Sequence, residues 1–437
     1  MQIYQNTDFF ELCKRYIAPN VVAAVFFSLY VIIDGAIVGS FLGSEALAAM
    51  GLVMPFVFMS FAFVDMIAIG SSVQISLHLG EGKVQIAREI FSACVLLIIV
   101  FSCIFGLGAY FAMPYFLDFI NATSAIKTLC LEYSNIFAFF MPIISLSYAL
   151  DNYLRICEKG VYAMWIGILV VFCNIVLVCL FVIVLDLEIF GVALAMCVGL
   201  TLGTILSLLP FFRHDLILKF CAPKLEFKKL LNVLYNGSSE FLDNISGSLL
   251  AVFANAVLLK LGGSLGVAVY AAILYIDGLI VSVIMAINSS LQPILSYFFA
   301  QKNRAKIMQL IRFLIYANAS FSLFAFVLLC IFRAEFAGLF ADDNGAFIAF
   351  MSSALVLYSL NYLAMWFNDL VSECLTAFNK PTYSMILSFC TNLIAPLGFL
   401  LILPLFLGVN GVFLVSFFAE FCVLVLSAIL LKKALRF

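Results

Sequence analysis

Between residues 90 and 113 the chain runs through 24 positions without a charged side chain. As a helix rising ~1.5 Å per residue, such a run crosses the ~30 Å hydrocarbon core of a bilayer. Polar punctuation cuts the 437 residues into twelve such stretches. They lie near 17–39, 47–78, 90–113, 131–154, 162–185, 190–212, 235–259, 267–297, 308–332, 347–372, 382–405 and 409–431. Only 11% of the residues are charged and 66% are apolar, where about 25% charged is usual for a soluble domain. So few charges cannot solvate a soluble protein of this size. A soluble enzyme, a nucleic-acid binder and a disordered scaffold are therefore excluded.

Backbone groups in lipid must bond internally, which leaves helices or a closed barrel. Runs such as 92–105 lack the in–out alternation of a barrel strand. The expected fold is an all-α polytopic membrane protein with twelve transmembrane helices. The 13 cysteines form no CxxC pair, so neither a disulfide framework nor a zinc site is indicated. No cleavable leader is expected, because the first apolar stretch follows Lys14 and Arg15 and runs into Asp34.

Lysine and arginine set the orientation. One set of loops and ends carries 19 of the 22 basic residues, and the other carries Lys127, Lys260 and Arg333. Strict alternation across twelve spans places both termini in the cytoplasm, in a multi-pass protein of the plasma or inner membrane.

The chain repeats itself. Residues 68–74 (AIGSSVQ) and 286–292 (AINSSLQ) end the second and eighth spans with five of seven positions identical, at a shift of 218. The same shift carries Asn174 onto Asn392, and Leu42-Gly43 lies 219 residues from Leu261-Gly262. The expected organisation is an N-lobe over 1–213, a basic cytoplasmic linker over 214–232 and a C-lobe over 233–437. Six spans per half make these parallel repeats, two pseudo-symmetric lobes around a central cleft whose rocking gives alternating access. That architecture points by analogy to a transporter.

With these features in place, the chain resembles the multidrug and toxic compound extrusion (MATE) family, in its DinF-like and MepA-like branch. The likeness rests on residues 34–43 (DGAIVGSFLG), Leu47-Ala48-Ala49, 74–83 (QISLHLGEGK), 151–155 (DNYLR) and 174–177 (NIVL). In the second half it rests on 236–241 (NGSSEF), 292–294 (QPI), Lys380-Pro381 and 408–411 (GVNG). The resemblance implies a secondary antiporter that exports amphipathic cations as Na⁺ or H⁺ enters. Independently, residues 80–84 (GEGKV) lack the first glycine and the Ser/Thr of a phosphate loop, so an ion gradient is the expected energy source.

Charges inside a bilayer are costly, and intramembrane acids are functional candidates by default. Asp34, Asp65, Glu240, Asp243, Asp277 and Glu420 fall well inside spans, while Asp151 and Asp369 fall nearer cytoplasmic ends. Asp34 matches the family's first-helix aspartate, implicated there in coupling; its alternative role is a hydrogen-bonding post. Asn174 matches the asparagine of the family's N-lobe cation site, or serves in helix packing. Val178 stands where that site has an acid and Met196 where it has a threonine, which leans the reading towards H⁺. Glu240, Asp243, Asn244 and Gly247 share one helical face, with Glu240 alternatively solvated at the interface. The ion-coupling candidates are thus Asp34, Asn174, Glu240 and Asp243. The substrate-cleft candidates are Asp277, Asn244, Asp65 and Tyr30, with Asp65 alternatively paired to a buried amide.

Gln74 and Gln292 are repeat-related amides expected at helix ends. Pro55 and Pro142 are placed for hinges. Residues 296–300 (SYFFA) replace a family Asn-Gly pair, and Thr391 stands where the branch tends to carry arginine, so the substrate is not carried over from a relative. No resident cofactor is expected beyond the coupling H⁺ or Na⁺, and a metal ligand set is not indicated. The partners are small amphipathic or cationic solutes and membrane lipid, without nucleic acid, and one duplicated chain holds a whole pathway as a monomer. The alternative is a lipid or lipid-linked oligosaccharide flippase of the same superfamily, against which stands the near absence of Lys and Arg within spans. A membrane enzyme comes third, since His78 only closes the second span, His214 falls in the linker, and there is no HExxH or GxSxG.

Overall fold

The computed structural model describes residues 13–119, 123–213, 216–222, 226–340 and 345–436. His214 and Lys224 of the expected linker, both chain ends, and the side chains of Leu47, Ala48 and Pro55 lie outside the described residues. Among those residues every regular element is helical.

The first half consists of α1 (Ala18–Phe41), α2 (Gly43–Gly80), α3 (Val84–Phe119), α4 (Ser124–Ile156), α5 (Gly160–Val178) and α6 (Glu188–Phe212). The second comprises α7 (Phe227–Gly263), α8 (Leu265–Ala300), α9 (Arg304–Ile331), the short α10 (Arg333–Gly338), α11 (Gly345–Ser359), α12 (Tyr362–Ala377), α13 (Pro381–Leu407) and α14 (Val409–Ala434). Eleven helices are long and apolar enough to span a membrane, and the pair α11–α12, bent by 43°, makes a twelfth span.

The described chain divides into two compact units, Met1–Gly237 and Ser238–Phe437. In the first, α4 is the central helix and packs on α2, α3 and α6. Its core joins Val53, Tyr133, Phe137, Ile144, Val192 and Leu200. In the second, α12 packs on α9 and α14, around Ile273, Met351, Tyr362 and Phe413.

The repeat is clearest in the turns. Left-handed residues end corresponding spans at Gly43 and Gly263, Gly82 and Lys302, Glu158 and Asn379, and Glu188 and Gly408. The offset is 220 or 221 residues, one to three longer than the sequence motifs indicate. Four of these turns close in one way. Lys83, Lys159, Asn303 and Lys380 each donate their backbone N–H to the carbonyl five residues before, at 2.8, 2.8, 3.0 and 3.0 Å. The preceding left-handed residue donates to the carbonyl three before it. This pairing satisfies the last carbonyls of a helix. It recurs after α2, α4, α8 and α12, so one turn design serves both halves.

The expected hinge at Pro142 is not a break: Pro142 sits inside a continuous α4, where adjustments of the helix and its neighbours accommodate the missing donor. The break falls instead in span ten, between Ser359 and Tyr362. The linker also departs from a solvated basic tether. Leu216 and Leu218 are buried. Arg88 Nε donates to the Ile217 carbonyl at 2.8 Å, and Cys221 N–H donates to Ser92 Oγ at 3.0 Å. Phe91 and Phe220 meet at 4.9 Å. Its apolar side chains hold it against the start of α3, while α7 begins at Phe227, so Lys228 and Lys229 are helical.

Candidate functional site

Each unit gathers buried polar groups of its own. In the first, Asp34 lies 16 residues into α1, or ~24 Å at ~1.5 Å per residue. The helix period puts Tyr30 one turn earlier on the same face, and the two side chains interact. Tyr133 on α4 and Cys197 on α6 complete the surround. Asp34 is 9% exposed, and its Oδ1 has no hydrogen-bond partner among the described residues. The Tyr133 hydroxyl and Asn174 Oδ1 are likewise buried without a partner. Three buried polar atoms left open call for a proton, an ion or water as the missing partner. Tyr30, expected to line the substrate cleft, is 3% exposed and lies beside Asp34. Asp65 is placed beside Tyr148, whose ring meets Phe61 at 4.7 Å.

In the second unit five carboxylates, Asp243, Asp277, Asp369, Glu373 and Glu420, lie near one another. Asp243 on α7 accepts from Asn392 Nδ2 on α13 at 2.6 Å and from Ser388. Asp277 on α8 accepts from the Tyr362 hydroxyl at 2.8 Å and from Tyr358. Glu373 on α12 accepts from Gln292 Nε2 at 2.7 Å. Glu420 on α14 accepts from Asn368 Nδ2 at 2.6 Å, and Ser427 donates to the Asn368 carbonyl oxygen. Asp369 sits among Glu420, Asp243 and Asp277, and Glu373 feels both Asp369 and Asp243. The donors are amides and hydroxyls throughout, and among the described residues no ion pair reaches any of the five. Like charges in a low-dielectric interior repel strongly, and a bound proton or cation relieves them.

The face expected on α7 is divided. Asp243 turns to Asn392, whereas Asn244 is exposed and bonds through Nδ2 to the Glu240 carbonyl at 3.0 Å. Glu240 is half-buried and Gly247 exposed. Sequence reasoning placed Asp277 on a substrate surface, and the structure sets it in a tyrosine cluster. It missed Glu373, Asn368 and Ser388. Glu373 follows Asp369 by four residues on one helical face, a spacing that reveals it once span ten extends past residue 372. Of the repeat-related glutamines, Gln292 bonds Glu373 through its side chain, and the backbone carbonyl of Gln74 pairs with His78 Nδ1 at 2.7 Å. Among the described residues no three His, Cys, Asp or Glu side chains converge to hold a metal ion. The acids form a string rather than a cage.

An apolar pocket lies between α2, α3 and α4, lined by Val57, Phe105, Met113, Phe137 and Met141 with Ser134. It contains none of the candidate acids.

A family model described as MatE matches residues 19–180 and 241–400, each half separately. The chain belongs to the MatE family. It is accordingly a transporter, not an enzyme. A MATE protein crystallised with MaL6 is 20% identical and superposes with a TM-score of 0.93, over 99% of this chain and 98% of that one. A mutant of the Vibrio cholerae MATE transporter VcmN is 19% identical, with a TM-score of 0.91 over 98% and 97%. A MOP superfamily transporter from Pyrococcus furiosus, described as having a binding pocket of reversed polarity, is 20% identical, with a TM-score of 0.91 over 100% and 98%. These likenesses show the MATE fold. No curated protein sequence matches the chain significantly.

Proposed function

We propose that this MATE transporter is a proton-coupled antiporter that exports amphipathic cations by alternating access, with both termini in the cytoplasm of a plasma or inner membrane. The observation that carries the reading is the string of five carboxylates in the second unit, Glu420 buried and the other four half-buried, with neutral donors on four of them and no ion pair to any among the described residues. A region of unneutralised negative charge attracts cations and retains protons. Asp34, with an open acceptor oxygen beside Tyr133 and near no basic group, supplies a second proton-handling site. The spread of the acids into pairs, rather than a many-oxygen cage, favours H⁺ over Na⁺ as the transported ion.

The test uses purified protein in proteoliposomes with an imposed proton gradient and a fluorescent cationic dye. Wild-type protein is expected to move dye only with the gradient, and Asp34→Asn and Asp369→Asn are each expected to reduce movement to that of protein-free vesicles. Equal transport by both variants would overturn the assignment of these carboxylates. Absence of dye movement under H⁺ and Na⁺ gradients, together with lipid scrambling, would replace antiport by a flippase activity.

A further inference from the structure

Span ten is broken where its sequence supplies no breaker. Sharp kinks occur at proline, at Gly/Ser pairs, at π-bulges or where a side chain enters the helix ladder. Residues 357–363 (LYSLNYL) contain neither proline nor glycine, yet α11 and α12 meet there at 43°. The backbone crosses the break on tightened bonds, with Asn361 N–H donating to the Tyr358 carbonyl at 3.0 Å and Leu363 N–H to the Leu360 carbonyl at 3.1 Å. Ser359 Oγ donates back to the Val356 carbonyl at 2.8 Å, as Ser60 does to Val57 in the unbroken α2, which leaves tertiary contact as the cause of the sharp bend.

One side chain touches both sides of it. Asp277 accepts from Tyr362, the first residue of α12, at 2.8 Å, and from Tyr358, in the last turn of α11. The Tyr358 hydroxyl also bonds Ser416 on α14, and Tyr270 packs on Tyr358 with ring centres 6.4 Å apart. At the 220- and 221-residue offsets of the turns, the first unit carries Val57, Phe137 and Met141 at these positions, lining its apolar pocket on an unbroken α4. The unit without the carboxylate and the tyrosines lacks the break.

We propose that Asp277 is a proton-operated clamp on span ten. As a carboxylate it accepts from both tyrosines and holds the bend. A proton on one of its oxygens makes that oxygen a donor and removes the charge that strengthens both bonds, which loosens the hold on the tyrosines and lets α11 and α12 straighten. The titratable groups facing Asp277 are Tyr270 on its own helix and Tyr358, Tyr362 and Asp369 on span ten, and none of these is basic. Because α12 also carries Asn368, Asp369 and Glu373, straightening moves the partners of Glu420 and Gln292. Asp277 is thus a positioning residue, and the proposal rests on the antiport reading only for what the movement accomplishes.

The experiment places spin labels, through unnatural amino acids, at the exposed positions Ala346 and Lys380 in full-length protein. Straightening a 43° bend between them lengthens the distance by about 3 Å at ~1.5 Å rise per residue. Wild-type protein is expected to lengthen from mildly alkaline to mildly acidic pH, and Asp277→Asn to show the longer distance at both. If Asp277→Asn does not fold, Tyr358→Phe and Tyr362→Phe carry the test, and each is expected to lengthen the distance at alkaline pH. A wild-type distance that ignores pH, or tyrosine variants that keep the short distance, overturns the clamp. Lengthening without proton-driven export leaves the clamp standing and overturns antiport; export without lengthening overturns the clamp alone.

Discussion

Asn174 on α5 occupies the space that Gly199 on α6 leaves open: a β-carbon built on Gly199 would lie 1.8 Å from Asn174 Oδ1. The amide is 2% exposed and its oxygen has no partner among the described residues. Gly199→Ala must displace it, and overpacking of this kind costs about 1–3 kcal/mol. A lowered midpoint of thermal unfolding in detergent is the expected outcome, and an unchanged midpoint would show that Asn174 moves freely.

Asp243 and Asn392 join α7 to α13 through a 2.6 Å charge-assisted hydrogen bond. Contacting polar pairs couple by roughly 0.5–3 kcal/mol. A double-mutant cycle with Asp243→Ala and Asn392→Ala, read by unfolding in detergent, is expected to be non-additive in that range. Additive single losses would mean that the two side chains stabilise the protein independently.

Helix contact depends on glycine at one crossing and not at another. A β-carbon on Gly237 would lie 1.8 Å from the Met66 carbonyl, whereas one on Gly247 meets nothing within 4 Å. Small residues let membrane helices approach closely. Gly237→Ala is therefore expected to reduce the yield of folded protein sharply, with Gly247→Ala tolerated. Size-exclusion profiles of the two variants, prepared side by side, check both halves of the prediction.

Arg88 and Ser92 fasten the linker through the Ile217 carbonyl and the Cys221 N–H. Freed segments are cleaved in proportion to the population that opens. Arg88→Ala combined with Ser92→Ala is expected to accelerate tryptic cutting after Lys219 several-fold. The wild-type rate in that variant would show that the burial of Leu216 and Leu218 suffices.

How much of this was legible beforehand differs from residue to residue. Span positions follow from local hydropathy, because a bilayer imposes one length and one backbone solution on every crossing. The internal repeat was visible in AIGSSVQ and AINSSLQ, and Asp34 stood out as an acid inside the first span. The true offset of the repeat was not visible, because it is written in turn backbones such as Gly82 and Lys302, where only one partner is glycine. Glu373 was cut off by a span boundary drawn one residue too early.

The sequence alone determined that this chain lies in a membrane as duplicated helices carrying acids in spans nearly free of Lys and Arg, since composition and periodicity act through local energetics. Tertiary structure decided which acids share a network, that Tyr30 is buried beside Asp34, and that span ten bends with no proline to bend it. Those outcomes depend on contacts such as Asp277 with Tyr362, 85 residues apart. No local pattern encodes a pairing across that distance, because it exists only once the helices have packed.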